Sequence, residues 1–312
     1  RMATYAAQIE QMDRGIGTIV DKLKEIGELD NTVIIFAADN GGCAEFMAED
    51  SNEPQPNQFN NPGPDGKEVK FGNIPDLRPG PADTFMSYDL PWANVSNTPF
   101  RLFKRWVHEG GISTPFVVHW PEKITKHTII HTPVQFADIS PTIIDICGAK
   151  YPKTFNGNDI TPVEGESFAR IFDGSEFTKD KPLCWEHEGN KAIRIGRWKL
   201  VSEYPGPWEL YNVDEDRSEV NDLINKEKDI ASKLKKEYKE WTMRCGILDW
   251  PVKIPDQDRR KIIPTGSKKR TSIGLEAVLT PLNLDGERRF KRKPPNIDKN
   301  NVTVRGMRYS RE

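Results

Sequence analysis

The sequence predicts an α/β fold: a parallel or mixed sheet flanked by helices, followed by a small carboxy-terminal antiparallel sheet packed with a helix. Two hydrophobic runs, residues 32–38 and 114–120, show no alternation of apolar and polar positions. Such runs are typical of strands covered on both faces, as in a parallel sheet between helices. Short β-type runs with turn residues between them follow from about residue 183, which is the pattern of an antiparallel meander.

The helices are predicted from apolar spacing and from their ends. Apolar residues recur at three- and four-residue steps through residues 9–26, which predicts a helix with one buried stripe. The stripe consists of Ile9, Met12, Ile16, Ile19, Val20, Leu23 and Ile26. Ser140 and Pro141 predict the N-cap and first position of a short helix over residues 141–147. A second short helix is expected over residues 167–172, and a long one over residues 226–244 after the meander.

Three regions follow from this pattern. Residues 1–175 are predicted to form the larger α/β part, and residues 176–250 the antiparallel sheet with its helix. Residues 43–101, which lie inside the first region, are dense in Pro, Asn, Gly and Asp and predict a long functional or disordered loop. Residues 251–312 hold 16 Lys and Arg against 7 Asp and Glu and have lost periodicity, so we expect a basic, poorly ordered tail.

Composition excludes several classes of protein. No apolar run approaches the roughly 20 residues that cross a bilayer, and the first residues carry no apolar signal-peptide core. The four cysteines form no C-x-x-C pair, which argues against a zinc cluster. The first residues read as the middle of a helix, so we expect the chain to be a piece of something longer.

The first hydrophobic run ends in Asp39, Asn40, Gly41 and Gly42. In open α/β sheets, ligands bind beyond the carboxyl ends of the strands. A carboxylate and an amide carbonyl are oxygen ligands that suit a hard cation, Ca²⁺ or Mg²⁺. A plain strand-to-loop turn is the alternative, because Asp-Asn-Gly favours turns without any metal.

A second stretch, residues 96–121, places several cations before the second hydrophobic run. Arg101, Lys104, Arg105 and His108 precede the sequence Glu-Gly-Gly and then the strand. Cations beside an oxygen-ligated metal suit a tetrahedral anion, sulfate or phosphate. A solvated basic face is the alternative, but it leaves the glycine pair unexplained.

Taken in order, these motifs resemble the carboxy-terminal half of a sulfatase of the arylsulfatase type, in the alkaline-phosphatase-like superfamily. The matching stretches are YAAQIEQMDRGIG, ADNGG, TPFRLFK with HEGGISTPFVVHWP, FADISPTIIDICG, EHEGNKAIRIGRWKLV and WELYNVDEDRSEVNDL. The resemblance covers about residues 2–251. It implies a partial alkaline-phosphatase-like sheet and hydrolysis of a sulfate ester.

The resemblance also implies roles for individual residues. Asp39 and Asn40 match the Asp-Asn pair that binds Ca²⁺, and Lys104 matches the catalytic lysine near the leaving oxygen of the sulfate. Arg101 and His108 belong to the same motif and are expected to support substrate binding. His187, in the meander's first turn, is expected either to reach the substrate or to be a structural histidine.

The family's nucleophile, a formylglycine made from a C/S-x-P-x-R motif, has no matching motif in this sequence. We therefore expect a fragment that is inactive alone and lacks an amino-terminal partner half. The expected substrate is a sulfated small molecule or sulfated carbohydrate, and the family resemblance implies a periplasmic or secreted location. Two alternatives stay open. One is a phosphodiesterase or phosphonate monoester hydrolase of the same superfamily, and the other is a non-enzymatic fragment that binds a polyanion through the basic residues 288–295. Nucleic acid is not the expected partner.

Overall fold

The computed structural model describes residues 1–45, 63 and 65–252. The helices of this part are α1 (Met2–Glu25), α2 (Asp89–Asn97), α3 (Glu109–Ile112), α4 (Ile139–Ile146) and α5 (Lys228–Cys245). The strands are β1 (Ile34–Ala37), β2 (Lys70–Phe71), β3 (Thr84–Phe85), β4 (Phe116–His119), β5 (Thr154–Phe155), β6 (Asn158–Asp159), β7 (Leu183–His187), β8 (Asn190–Ile195), β9 (Trp198–Ser202) and β10 (Glu209–Asn212). All but two residues of the predicted basic tail lie outside the described residues, including residues 288–295.

Helix α1 forms where the apolar spacing predicts it and ends just before Gly27, whose φ of 73° suits glycine. The prediction that its stripe is buried is wrong for this chain. No residue of α1 is buried among the described residues, and Ile19 is 62% exposed. The spacing of apolar residues predicts the helix. Burial of its apolar face, however, requires another part of the protein to pack on it, and the described residues provide none.

Strands β1 and β4 pair with each other, and their pairing is antiparallel, with Ile35 opposite Val118. The prediction that these two runs are parallel strands, covered on both faces, is therefore wrong for this pair. Val117 of β4 is 56% exposed, and all four residues of β1 are half-buried. A continuous apolar run predicts that both faces of the strand are covered by other elements, but it does not predict the direction of the paired strand.

The predicted long loop contains regular structure within its described residues. Helix α2 occupies its end, and β2 pairs in parallel with β3. The sequence pattern does not predict helix α2, because a proline usually indicates a loop. Pro91 lies in the first turn of α2, however, where proline is tolerated. Residues 46–62 of the same predicted loop lie outside the described part.

Helix α4 begins at Ile139, ahead of the predicted start at Pro141. A 3₁₀ turn (Phe136–Asp138) leads into it, and the residue before α4 is Asp138 rather than Ser140. Asp138 makes no side-chain capping hydrogen bond to α4, because its carboxylate belongs to the capping box of the 3₁₀ turn with Gln135. The Asp138 carboxylate accepts from the backbone N–H of Gln135 and of Glu166 and pairs with Lys179. The second predicted short helix is a 3₁₀ helix (Ala169–Asp173).

The carboxy-terminal sheet and helix agree with the prediction. Strands β7 to β10 form an antiparallel meander in the order β10-β9-β8-β7. Helix α5 packs Ala231, Leu234 and Tyr238 against Leu200 and Leu210 of this sheet, which forms the main hydrophobic core of the described residues. Among those residues, no helix has both the length and the apolar character that a bilayer crossing requires.

Candidate active site

The antiparallel pairing of β1 with β4 determines which segments meet at the end of β1. The carboxyl end of β1 lies beside the amino end of β4, so the residues that precede β4 come against the Asp39–Asn40–Gly41–Gly42 turn. The Ala38 N–H donates to the Pro115 carbonyl at 3.1 Å, and the Thr114 hydroxyl donates to the Ala38 carbonyl at 2.7 Å. The basic stretch and the acid–amide turn are thereby neighbours.

The glycines of both motifs are explained by close approach of two backbones. The Gly41 N–H donates to the Gly111 carbonyl at 2.9 Å. A Cβ at Gly41 would lie 1.7 Å from the Gly110 carbonyl oxygen, and one at Gly111 would lie 1.8 Å from the Trp106 carbonyl oxygen. Only hydrogen fits at these positions. A side chain at Gly41 would separate the turn from helix α3, and one at Gly111 would push α3 away from the segment that precedes it.

Asn97, at the end of α2, joins the two motifs and was not found from the sequence. Its Oδ1 accepts from the Gly42 N–H at 2.8 Å, and its Nδ2 donates to the carbonyls of Leu102 and Gly110, both at 2.8 Å. The side chain is almost fully buried, and all three contacts are to backbone. Nothing in the local sequence distinguishes this asparagine from its neighbours, because its partners are distant in sequence.

Lys104 lies directly beside the turn. Its N–H donates to the Gly42 carbonyl at 3.0 Å, two residues from Asn40. Its ammonium group lies 3.1 Å from a carboxylate oxygen of Glu45, and its side chain is 38% exposed. The backbone of Lys104 therefore lies beside the turn that carries the predicted metal ligands, and its ammonium group pairs with Glu45.

Asp39 and Asn40 offer oxygen atoms at this position. Asp39 is exposed, and within the described residues its carboxylate has no hydrogen bond or ion pair. Asn40 is half-buried, and its Nδ2 donates to the Gly41 carbonyl at 2.8 Å, which leaves its Oδ1 as the available ligand. Within residues 1–45, 63 and 65–252, no group of three or more His, Cys, Asp or Glu side chains could hold a metal ion.

Arg101 and His108 make contacts of a structural kind with the carboxy-terminal sheet. The Arg101 guanidinium donates to Tyr211 at 3.1 Å and to the Glu219 carbonyl at 2.9 Å, and it lies 3.3 Å from Glu209. His108 has no exposed surface, and its Nε2 lies 3.4 Å from Glu209. Burial, together with the positive charges of Lys199 and Arg101, lowers the pKa of His108 to about 3, so the ring is neutral at neutral pH.

A buried ion cluster anchors helix α3 to the sheet. The Lys199 ammonium lies 2.9 Å from Glu109 and 2.8 Å from Glu219, and none of the three side chains is more than 4% exposed. Glu219 also accepts from the Glu109 N–H at 2.8 Å. Burial alone would raise the pKa of Glu109, but the charge and hydrogen bond of Lys199, together with the charges of Arg194 and Arg217, outweigh burial and lower the pKa. For Glu219, burial prevails and raises the pKa.

The β7–β8 turn contacts the residue that follows Lys104. The Nδ1 of His187 lies 3.1 Å from the Arg105 carbonyl oxygen, and the Nδ2 of Asn190 lies 3.4 Å from the same oxygen. The Glu188 carboxylate lies 2.6 Å from Nε of Arg105. Arg105 has a φ of 94°, and Leu102 has a φ of 64°. Such non-glycine conformations cost on the order of 1–3 kcal/mol each and persist only where surrounding contacts hold them.

Two family models match the chain over adjoining regions. The model described as Sulfatase matches residues 1–149, and the model described as N-sulphoglucosamine sulphohydrolase, C-terminal, matches residues 100–244. An uncharacterised sulfatase of Schizosaccharomyces pombe is 31% identical over 260 residues, which is 80% of this chain and 45% of the yeast protein. An arylsulfatase of Klebsiella aerogenes is 32% identical over 173 residues, which is 54% of this chain and 34% of that protein.

Solved structures of other proteins share the fold of this chain. The crystal structure of Ps i-CgsB has a TM-score of 0.53 at 24% identity and covers 76% of this chain and 42% of its own. The same values hold for Ps i-CgsB in complex with k-i-k-neocarrahexaose. This chain therefore spans less than half the length of these similar proteins.

The family models and the relatives identify a protein of the alkaline-phosphatase-like superfamily. Within that superfamily, the chain belongs to the sulfatase family.

Proposed function

We propose that this chain is the carboxy-terminal part of an enzyme that hydrolyses a sulfate ester, here called the parent protein. The observation that carries the proposal is the hydrogen bond between the Lys104 N–H and the Gly42 carbonyl, beside Asp39 and Asn40. It holds the backbone of a lysine beside a strand end that offers two oxygen ligands. Sulfate-ester hydrolysis is the chemistry of the sulfatase family, and a sulfated small molecule or carbohydrate is the substrate class that we propose.

Asp39 and Asn40 fit part of a calcium site. Both supply oxygen atoms, the donor type that Ca²⁺ and Mg²⁺ prefer, but Ca²⁺ takes about 6–8 such ligands. The remaining ligands would have to come from another segment of the parent protein. When bound, the cation would supply electrostatic stabilisation of charge on the sulfate oxygens. The formylglycine nucleophile would likewise come from that other segment, because its motif is absent here.

Lys104 would neutralise negative charge near the departing oxygen of the ester. A fixed cation acts most strongly where charge develops during the reaction, and it needs no reorganisation at that moment. Backbone bonding of Lys104 to Gly42 keeps the lysine in register with the proposed metal ligands. Arg101 and His108 would act indirectly, by holding the segment that carries Lys104 against the carboxy-terminal sheet.

The apolar face of α1 is the surface on which we propose that the amino-terminal half packs. Ile9, Met12 and Ile19 are each more than 40% exposed. Strands β1 and β4 form a sheet of two strands within the described residues, and an isolated pair of strands is marginally stable at best. A polypeptide that added strands to this pair and apolar side chains over α1 would complete the layers. A periplasmic or secreted location stays a prediction from the family resemblance.

Paired assays test the proposed function. The parent protein is expected to release sulfate from an aryl sulfate faster than phosphate from the matching aryl phosphate or phosphonate ester. The purified 312-residue chain is expected to release neither. Faster turnover of the phosphorus esters by the parent protein would contradict the sulfatase assignment. Sulfate release by the chain alone would contradict its assignment as an incomplete part.

A further inference from the structure

The three side chains of the β7–β8 turn that contact Arg105, namely His187, Glu188 and Asn190, are here called the Arg105 clamp. We propose that the Arg105 clamp is a positioning element for Lys104, so that the carboxy-terminal sheet sets the geometry of the catalytic lysine. This inference rests on the proposed function, because it assumes that Lys104 acts in catalysis. It assigns a role to Glu188 and Asn190, and it gives His187 a positioning role, where the sequence left substrate contact and a structural role both open.

The clamp contacts both the backbone and the side chain of Arg105. His187 and Asn190 meet its backbone carbonyl oxygen at 3.1 and 3.4 Å, while Glu188 meets its guanidinium at 2.6 Å. A residue held by both its backbone and its side chain has little freedom to rotate. The adjacent peptide unit, which carries Lys104, is therefore restrained on this side, and the Gly42 carbonyl restrains it on the other.

The backbone conformation explains why a clamp is needed. Arg105 has a φ of 94°, in the region that disfavours residues with a Cβ, and Leu102 has a φ of 64°. Lys104 thus lies in a segment bounded by two unfavourable conformations. Without external contacts such a segment relaxes to commoner backbone angles, which would turn the lysine away from the Asp39–Asn40 turn.

The clamp itself is firmly held. Asn190 is buried, its Nδ2 also donates to the His187 carbonyl at 2.9 Å, and its Oδ1 accepts from the Tyr204 N–H at 3.1 Å. His187 is paired with Asn190 at the end of the β7–β8 ladder. Because a carbonyl oxygen only accepts, the Nδ1 of His187 must carry the proton that it donates to Arg105. The turn is thus preorganised by the core of the carboxy-terminal sheet.

A pair of substitutions at His187 tests the proposal, because this side chain is exposed and its loss does not empty the core. His187→Leu removes the donor to the Arg105 carbonyl. His187→Asn retains an N–H donor at nearly the same position, but it has neither a ring nor a titratable group. His127→Leu is the matched control, since His127 is an exposed loop histidine of the described part.

The first measurement is independent of activity. Trypsin cleavage of the folded 312-residue chain after Lys104 and Arg105, followed by mass spectrometry, reports opening of this segment. We expect His187→Leu to be cleaved there about fivefold faster than the wild-type chain, the effect of losing one hydrogen bond from a local opening equilibrium. His187→Asn and His127→Leu are expected to behave as the wild type. Unchanged cleavage in His187→Leu would overturn the proposal.

The second measurement uses turnover by the parent protein. We expect His187→Leu to lower kcat at least about tenfold with a smaller change in KM, since a displaced lysine chiefly weakens transition-state stabilisation. His187→Asn is expected to restore kcat. If His187→Asn is as slow as His187→Leu, the histidine itself contacts the substrate and the positioning role is overturned. If cleavage rises but kcat does not fall, Lys104 is not the catalytic lysine, and the proposed function fails rather than the clamp contact.

Discussion

Replacement of Lys199 by Met is expected to lower the free energy of unfolding of the chain by about 3–5 kcal/mol, the usual cost of removing one partner from a buried ion pair. The reason is that Glu109 and Glu219 are both buried and would lose the ammonium group that contacts them. Glu109 would keep only the weaker contact with Arg217 at 3.5 Å. Urea denaturation of the purified chain, followed by tryptophan fluorescence, measures the change.

Two further variants show whether the buried charges cause this loss. Lys191→Met changes a lysine of the same sheet whose ammonium lies over the Trp208 ring, and it is expected to cost less than about 1 kcal/mol. Adding Glu219→Gln to Lys199→Met is expected to recover part of the loss, because it removes the buried carboxylate that has lost its cation. A loss below about 1 kcal/mol for Lys199→Met alone would contradict a buried, ionised cluster.

Replacement of Lys104 by Ala in the parent protein is expected to lower kcat for an aryl sulfate at least roughly 10²-fold, by analogy with the loss of one oxyanion-site donor. The side chain is partly exposed and pairs with Glu45, while its backbone N–H donates to the Gly42 carbonyl. An alanine keeps that backbone hydrogen bond, so the fold of the turn should survive the loss of charge. Steady-state kinetics with the sulfate ester measure the effect.

The control for this prediction is Lys126→Ala, which removes an exposed lysine in the loop that follows β4. Its kcat is expected to match that of the wild type, and both variants are expected to show unchanged thermal stability. An unchanged kcat for Lys104→Ala would remove Lys104 from the reaction.

Local patterns predicted those parts of the fold that depend on neighbours in sequence. The short β-type runs with turn residues between them, followed by the long helical segment, predicted an antiparallel sheet with a helix packed on it, as the structure has it. The same reasoning failed for β1 and β4. An apolar run predicts that both faces of a strand are covered, but it does not predict the direction of the paired strand. The paired strand lies about 80 residues away, so no local turn indicates that direction either.

The candidate site shows the same limit. The acid–amide turn and the basic stretch were predicted from their residue types, but Asn97, Lys199 and Glu219 were not. Their importance comes from contacts between residues far apart in sequence, such as Lys199 with Glu109. One signal was available, because a lysine within the apolar run of β9 requires a buried partner.

The central claim is that the end of β1 delivers oxygen atoms to a cation, and calcium binding by the parent protein tests it most directly. Isothermal titration with Ca²⁺ would compare the wild-type protein with Asp39→Asn and with Asp13→Asn, which alters an exposed acid on α1. We expect Asp39→Asn to weaken calcium binding at least about tenfold, since site affinity depends on the charge of its ligands, and Asp13→Asn to leave it unchanged. Equal affinity in the wild-type and Asp39→Asn proteins would contradict the claim.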